Sequence, residues 1–584
     1  MTDKSIAAPN DPAAPDGPDA HDLPTCNIVM KGGITSGVVY PLAVVELSKK
    51  YRFAGIGGTS AGAIAAALTA AAEKGREQGG FEKIAKVAED LPHRMRGLFQ
   101  PTPRHKPLFG VLMRLAVKQG GGRKALGVIG LVVAAYPGTA VLGALPALVL
   151  LALGWRLGSP LMAVVTAVLA LVVFMALAFA LRLKRIVTRE LPESDFGLCP
   201  GIRQPGSTED GLVDWLANLL DDVAAQPRDD ATGAAKPLTF GDLDGDDPEQ
   251  PAIALRMFTT CLSTGRPHVM PWSDASYNLY RYRPEELACL FPERIVRWMN
   301  DHSAADAADP AFRAMPPRKD LPVILPVRMS LSFPFLFSTV PLWMRDFTLG
   351  SLDAQKVLRR VRFSDGGMCS NLPLQLFDHM WPKCPTFAVA LDPFSAERNV
   401  RGGVEKRVLL PSHANSGLLM PVEPIDTLRE FVRSMMNVMQ NWQDRLQATL
   451  PGYRDRIIHV YLKDEEGGLN LDMHPTVIAQ LSELGRQAGH ELVTRFDWPA
   501  HRWTRSVSAI DRLADAIGAL DEETVAFIKD RPMGQTGYRQ TVAWQRSAVA
   551  ALNAIREIEE VRSGALAPPK PPNPVPQLRM TPRA

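Results

Sequence analysis

Three short segments carry residue types that together could perform acyl transfer. Gly58-Thr59-Ser60-Ala61-Gly62 follows the apolar run Phe53 to Gly57 and opens an alanine-rich stretch that reads as a helix to about Gly75. Small residues beside a serine permit a strained strand-to-helix turn that exposes its hydroxyl, and a helix N-terminus favours the negative charge developed during attack. Upstream, Gly32-Gly33-Ile34-Thr35-Ser36-Gly37 lies between the strand-like Asn27 to Met30 and the helix-like Val38 to Lys50. Glycines there let backbone N–H groups approach an oxyanion, although an ordinary strand-to-helix turn is the competing reading. Downstream, Ser364-Asp365-Gly366-Gly367 sets an acid in a glycine turn after the strand-like Val361-Arg362-Phe363, where an Asx turn competes.

Positioning these segments requires a sheet. Strand, loop, helix, strand, tight turn, helix is the signature of a parallel α/β arrangement, and Ile253 to Thr260, Val323 to Val327 and Phe387 to Leu391 read as further strands. Gly211 to Ala225 reads as a helix, and the segment from there to Asp247 as a polar loop. Its Asp242, Asp244, Asp246 and Asp247 fail the EF-hand pattern, because the glycine position holds Asp247 and the twelfth position Ile253, so a solvated turn is expected. From Ile425, the apolar residues Leu428, Val432, Met435, Met439, Trp442 and Leu446 recur at spacings of three and four. This predicts one face of a long amphipathic helix, expected to pack against the sheet, with lipid contact as the alternative. Ile457 to Leu462 reads as a strand, the chain beyond Pro475 as mainly helical, and Val542, Val549, Leu552 and Ile555 suggest a last amphipathic helix.

The order of the three segments resembles that of the patatin-like phospholipases. The likeness continues in Thr259-Thr260-Cys261-Leu262-Ser263-Thr264-Gly265, in Ser330-Leu331-Ser332-Phe333-Pro334-Phe335-Leu336-Phe337 and in Asn371-Leu372-Pro373, and covers roughly residues 25 to 395. It implies an α/β, three-layer sandwich with a mostly parallel central sheet and a Ser-Asp dyad. Ser60 would be the nucleophile and Asp365 its base. Gly32, Gly33 and Ile34 would form a backbone oxyanion hole, with Gly37, Gly58, Gly62, Gly366 and Gly367 supporting the three turns. Two positions depart from the family pattern: Ile34 stands where a third glycine is usual, and Ser36 where an arginine or lysine commonly precedes the last glycine.

Between the serine and the acid lies the run Ala125 to Leu181, whose one charged side chain is Arg156. It divides at Trp155-Arg156-Leu157-Gly158-Ser159-Pro160, and each part is long enough to cross a bilayer core of roughly 30 Å. Leu161 to Leu181 has no proline and no polar residue beyond Thr166, whereas the first part holds Pro137, Pro146 and several glycines, which weaken or kink a helix. Arg104, Lys106, Arg114, Lys118, Arg123 and Lys124 precede the run, and Arg182, Lys184, Arg185 and Arg189 follow it. An excess of lysine and arginine at both ends places them on the cytoplasmic side, with the adjoining surface against anionic head groups. A pair of buried helices in a large soluble core is the competing reading.

Composition bounds the rest. At 584 residues and 46% hydrophobic the chain can build a large core, and a net charge of +3 gives no case for nucleic acid. The six cysteines are scattered without a Cys-x-x-Cys pair, so neither a metal site nor a disulfide framework is expected, and no cofactor is implied. Residues 1–24 lack the apolar core of a secretory signal. The expected organisation is a disordered segment 1–24, a first hydrolase part 25–124, a transmembrane helical hairpin 125–183, a second hydrolase part 184–395, a mainly helical region 396–563 packing on it, and a proline-rich tail 564–584. Nothing in the sequence specifies an oligomeric state. The expected activity is hydrolysis of lipid esters at a membrane. Two alternatives are a lipid-binding scaffold of the same fold, and a Ser-Asp-His esterase, since His379, His413, His459, His474, His490 and His501 all follow Asp365.

Overall fold

The computed structural model describes residues 23–33, 35–116, 124–228, 233–273, 279–351, 353, 356–401, 403–412, 422, 424–468, 470–471, 473–518, 523, 526, 529 and 546–554. Ile34, most of the expected N-terminal segment, Val542, Ile555 and the proline-rich tail lie outside the described residues, while Val549 and Leu552 fall in a helical stretch.

The chain enters with β1 (Thr25–Met30), α1 (Tyr40–Ser48), β2 (Arg52–Gly58) and α2 (Ala61–Lys74). Ile28, Val29 and Met30 are all fully buried although successive side chains point to opposite faces, so both faces of β1 are covered. Alanines 63, 66, 67, 70, 71 and 72 line α2 and are buried, which lets the helix lie close to the sheet.

Two apolar helices follow, α3 (Pro137–Arg156) and α4 (Pro160–Arg185). Both are long and apolar enough to cross a membrane. They pack on each other through small residues: a Cβ on Gly154 would lie 2.5 Å from the Ala163 Cβ, and one on Gly143 would lie 2.9 Å from the Met175 Cα. Their outward side chains, among them Leu148, Leu153, Leu169 and Val172, are exposed. The apolar stretch before α3 is a separate helix, Lys124–Ala135, because Pro137 cannot continue it and Tyr136 leaves the helical conformation. Beyond α4, buried Glu190 receives Arg182 at 2.6 Å, Arg185 at 3.4 Å and Arg104 at 3.5 Å, so part of the basic flank is neutralised internally.

The remaining elements used below are β3 (Ala254–Cys261), α5 (Ile324–Ser330), β4 (Leu358–Asp365), β5 (Thr386–Pro393), α6 (Leu428–Ala448), β6 (Ile457–Leu462) and α7 (Pro475–Arg495). The central sheet is mixed. Its middle runs β6-β5-β1-β2-β3 with every pair parallel, and β4 joins β3 antiparallel. Antiparallel strands extend both edges, so the mostly parallel sheet expected from the sequence is confined to the centre.

Three local expectations are corrected. Val323 to Val327 belongs to helix α5 and its N-cap, not to a strand; Pro326 is tolerated in a first helical turn, where an N–H would be unpaired anyway, but is disfavoured in a central strand. Within the expected polar loop, Phe240–Asp244 is a short helix closed by a Thr239–Asp242 capping box. Asp244 is not a solvated turn residue: it is buried and paired with Arg318 at 2.6 Å. Finally, α6 does not lay its apolar stripe on the sheet: Phe431, Met435, Met439, Trp442 and Leu446 are exposed.

Helix α7 meets α1 backbone to backbone. A Cβ on Gly485 would lie 1.9 Å from the Val39 carbonyl oxygen, and one on Gly489 would lie 2.6 Å from that of Ala43. Only glycine fits such an approach without moving the helix. Gly485→Leu is therefore expected to lower stability by about 3 kcal/mol, the upper range for overpacking, read as a fall in melting temperature of the detergent-solubilised full chain. A melting temperature within about 1 °C of wild type would show that the two helices are not held at this spacing.

Candidate active site

The register of the sheet brings the chemical segments to one level. Met30 pairs with Gly58, Gly58 with Met257, and two residues further on Thr259 pairs with Asp365. The loops leaving β1 and β2 therefore open at the carboxyl ends of parallel strands, and the acid arrives on antiparallel β4, which β3 separates from β2. Sites in open α/β sheets form at such strand ends.

Ser60 sits between β2 and α2 with φ 54° and ψ −128°, a conformation seldom occupied by a side-chain-bearing residue. Its neighbours permit this only because they lack side chains: a Cβ on Gly58 would lie 2.2 Å from the Gly62 carbonyl oxygen, and one on Gly62 would lie 2.3 Å from that of Met30. The Ser60 N–H donates to Ser330 Oγ at 3.0 Å, which fixes the turn against α5. Nearby, the Arg328 guanidinium is buried, donating to Ser332 Oγ and to the carbonyls of Pro200 and Ser338. Burial lowers its pKa to about 9, so it remains a cation at neutral pH.

Asp365 ends β4. Its N–H and the Ser364 hydroxyl both donate to the Ser332 carbonyl, and its Oδ1 accepts the Gly367 N–H at 2.7 Å. Oδ2 has no hydrogen-bond partner of full geometry among the described residues. Burial drives the carboxyl pKa up to about 7, against the opposing pull of the nearby Ser60 hydroxyl and the Gly367 N–H. A carboxylate of that basicity beside a serine hydroxyl can accept its proton, and the final alignment of such a pair commonly tightens only with substrate. Ser60 and Asp365 are each 3% exposed, so the pair is covered.

The loop from Lys31 to Gly37 lies against the serine: a Cβ on Gly32 would be 3.2 Å from the Ser60 Cβ, and one on Gly37 would be 3.1 Å from the Ala61 Cβ. The Gly32 N–H is already donated to the Asn371 carbonyl at 2.9 Å. The Gly33 N–H has no acceptor among the described residues, and the first N–H groups of α2 carry no side-chain cap. Among the described residues these N–H groups are left open to a ligand. Ile34 lies outside the described residues. Gly366 and Gly367 follow the acid as a tight turn, with Gly366 packed on the Phe258 carbonyl.

Sequence reasoning missed the residues that tie these loops together. Asp444, from the inward side of α6, accepts Ser370 Oγ at 2.8 Å, the Asn371 N–H at 2.5 Å and the Leu372 N–H at 2.8 Å. Asn371 in turn accepts Gly32 N–H and Thr59 Oγ1 on its carbonyl. Lys31 is pinned by Asp392 at 2.9 Å, and Asp392 also meets His459 at 2.7 Å. Burial alone would raise the Asp392 pKa, but Lys31 and His459 outweigh it and hold the carboxyl far below its ordinary range. An acid on the polar side of an amphipathic helix was the one available signal for Asp444.

No described histidine bonds Ser60 or Asp365. His459 is engaged by Asp392, His501 by Asp455, His474 by Thr476 and His490 by Glu46, while His413 lies outside the described residues.

No protein-family model matches the chain. A protein named "RpoH suppressor" from Rhizobium meliloti (strain 1021) is 35% identical, over 95% of this chain and 98% of that one. Among solved structures, VipD from Legionella pneumophila aligns over 92% of this chain and 86% of its own, at 13% identity and TM-score 0.30. The heterodimeric ExoU–SpcU complex of the Pseudomonas aeruginosa type III secretion system aligns over 94% and 79%, at 15% identity and TM-score 0.22. Neither structural likeness is close enough to assign a fold.

Because the folded-state pKa of Asp365 is raised, its contribution to stability is present below the unfolded value near 4 and is lost as pH climbs to about 7. Asp365→Asn removes that loss. The stability of the variant relative to wild type should increase by roughly 2 kcal/mol between pH 5 and pH 7 and then level off, read from melting temperatures across that range. A difference independent of pH would mean that Asp365 is not buried as described.

Proposed function

We propose that this chain, which belongs to the family of the Rhizobium meliloti RpoH suppressor, is a membrane-anchored serine lipid acyl hydrolase of patatin-like architecture. The observation that carries the reading is Ser60 held at positive φ at a strand-to-helix turn, with a buried, basic Asp365 beside it. Asp365 takes the Ser60 proton as the oxygen attacks an ester carbonyl. The carbonyl oxygen becomes an oxyanion facing the Gly33 N–H and the start of α2. Collapse expels the alcohol, which receives the proton from Asp365, and leaves an acyl-enzyme. Water, deprotonated by the same carboxylate, attacks the acyl carbonyl, and collapse releases the fatty acid as Asp365 returns the proton to Ser60 Oγ. Each oxyanion donor in such a site is worth a factor of about 10² to 10³ in kcat.

Phospholipids or related lipids are the proposed substrates, because α3 and α4 hold the catalytic domain at a bilayer. Their exposed apolar length supports two crossings, and the flanking cations support cytoplasmic ends, with the hydrolase domain on that side. A lipid-binding scaffold without turnover is the second reading. It is favoured by the Gly32 N–H, which is spent on Asn371 instead of facing the serine.

Fluorophosphonate labelling and turnover of a defined lipid panel separate the two. Wild type should label and hydrolyse; Ser60→Ala should do neither, and Asp365→Asn should retain less than about 10⁻³ of wild-type turnover, the scale of general-base loss. Since only ionised Asp365 accepts the proton, kcat/KM should rise about tenfold per unit below pH 7 and level above it. Well-folded wild type that neither labels nor hydrolyses leaves the scaffold.

Membrane topology has its own test. In sealed inverted vesicles the segment 155–160 should resist added protease while the flanks are cut. Cleavage within 155–160 from the cytoplasmic side would refute the two-span arrangement.

A further inference from the structure

Helix α6 is amphipathic in the inverted sense. Its inward stripe is polar, with Ser434, Asn437 and Asn441 half-buried and Asp444 buried. Its outward stripe is apolar, with Phe431, Val432, Met435, Met439 (59% exposed), Trp442 (57% exposed) and Leu446 facing solvent. Folding in water alone selects the opposite orientation, because each such side chain left outside forfeits roughly 1.5–3 kcal/mol of burial. The inward stripe explains which face points in: Asp444 holds the three donors at 370–372, and Asn441 Oδ1 accepts Asn371 Nδ2 at 3.4 Å. Asn371 touches both the oxyanion loop and the serine turn, so α6 stands one residue away from a covered dyad.

We infer that the outer face of α6 docks into the lipid leaflet that contains the substrate, and so brings the covered Ser60 site up to lipid. Two features select lipid over a second copy of the chain. A face of a 21-residue helix is ~30 Å by ~10 Å, about 300 Å², well below the ~800 Å² per partner that a stable dimer buries. The same chain also carries α3 and α4, whose exposed apolar surfaces are long enough to enter a bilayer. A tryptophan and methionines on a half-immersed face suit the boundary between head groups and acyl chains, where an apolar body and a polar tip are both accommodated. The α6 residues are thus a lipid-contact surface, and Asn441 and Asp444 are positioning residues that connect it to the site. This inference rests on the lipid-hydrolase reading for its substrate, but the docking itself is measurable without turnover.

The test uses the full chain reconstituted in phosphatidylcholine–phosphatidylglycerol vesicles, with the emission of Trp442 taken as the difference between wild type and Trp442→Phe. Lipids brominated near the head of the acyl chain should quench that emission at least twofold, and Ser60→Ala should behave identically. Loss of turnover in wild type alongside intact quenching would sink the hydrolase reading and leave docking standing. Quenching by aqueous iodide but not by brominated lipid would overturn docking. Resistance to both quenchers, the mark of a second copy or another segment of this chain over α6, would overturn it too. In parallel, the exposed triple variant Met435→Gln, Met439→Gln, Trp442→Gln should lower the ratio of vesicle-lipid to soluble short-chain ester turnover at least tenfold. A ratio within twofold of wild type, in protein with unchanged near-ultraviolet circular dichroism, also counts against docking.

Discussion

The carboxylate of Asp444 and the carbonyl of Asn371 are the point on which the site depends. One accepts three donors from residues 370–372, and the other accepts Gly32 and Thr59, so four chain segments are bound into one cluster. Thr59 and Asn371 alone lie 312 residues apart, a span that includes two membrane-length helices, and local preferences alone would not bring the segments together. A buried acceptor left without its donors, or donors without their acceptor, costs about 1–3 kcal/mol for each group. Formation of the whole cluster is therefore favoured over formation of any part of it. Its burial is also what makes it specific, since water cannot substitute for a missing partner.

The same burial tunes the chemistry. A carboxyl in water titrates near 4 and is a poor base for an alcohol. In this fold Asp365 loses solvation while gaining one backbone donor, with the Ser60 hydroxyl nearby, and its pKa climbs to about 7. Asp392 on β5 is half-buried, its side chain 26% exposed, and moves in the opposite direction, because Lys31 and His459 stand beside it. Depth and partner charge together separate a candidate base from a structural anchor.

Much of the scaffold was legible in the sequence. β1, β2, α1 and α2 lie within a residue or two of the positions read from periodicity and turn residues, because their apolar runs are short, complete and bounded by glycines. Val323 to Val327 was misread because a short apolar run is compatible with strand or helix until its surroundings decide. Antiparallel edges escaped notice since pairing direction is a property of two strands. The stripe on α6 was found, but its direction was not: amphipathic periodicity says that two faces differ and does not say which one the protein covers.

What the sequence determined by itself is local: a serine between glycines that can adopt a strained turn, an acid in a glycine turn, and two stretches apolar enough to enter lipid. These depend on neighbours along the chain, where sterics and hydropathy act over a few residues. Tertiary structure alone decided that Asp444 and Asn371 bind the loops, that no described histidine reaches the dyad, that the Gly32 amide is spent, and that α6 turns its polar side inward. Each of these is settled by groups meeting across long separations under exclusion of water, where the energy of a hydrogen bond or a charge depends on what else has been buried with it.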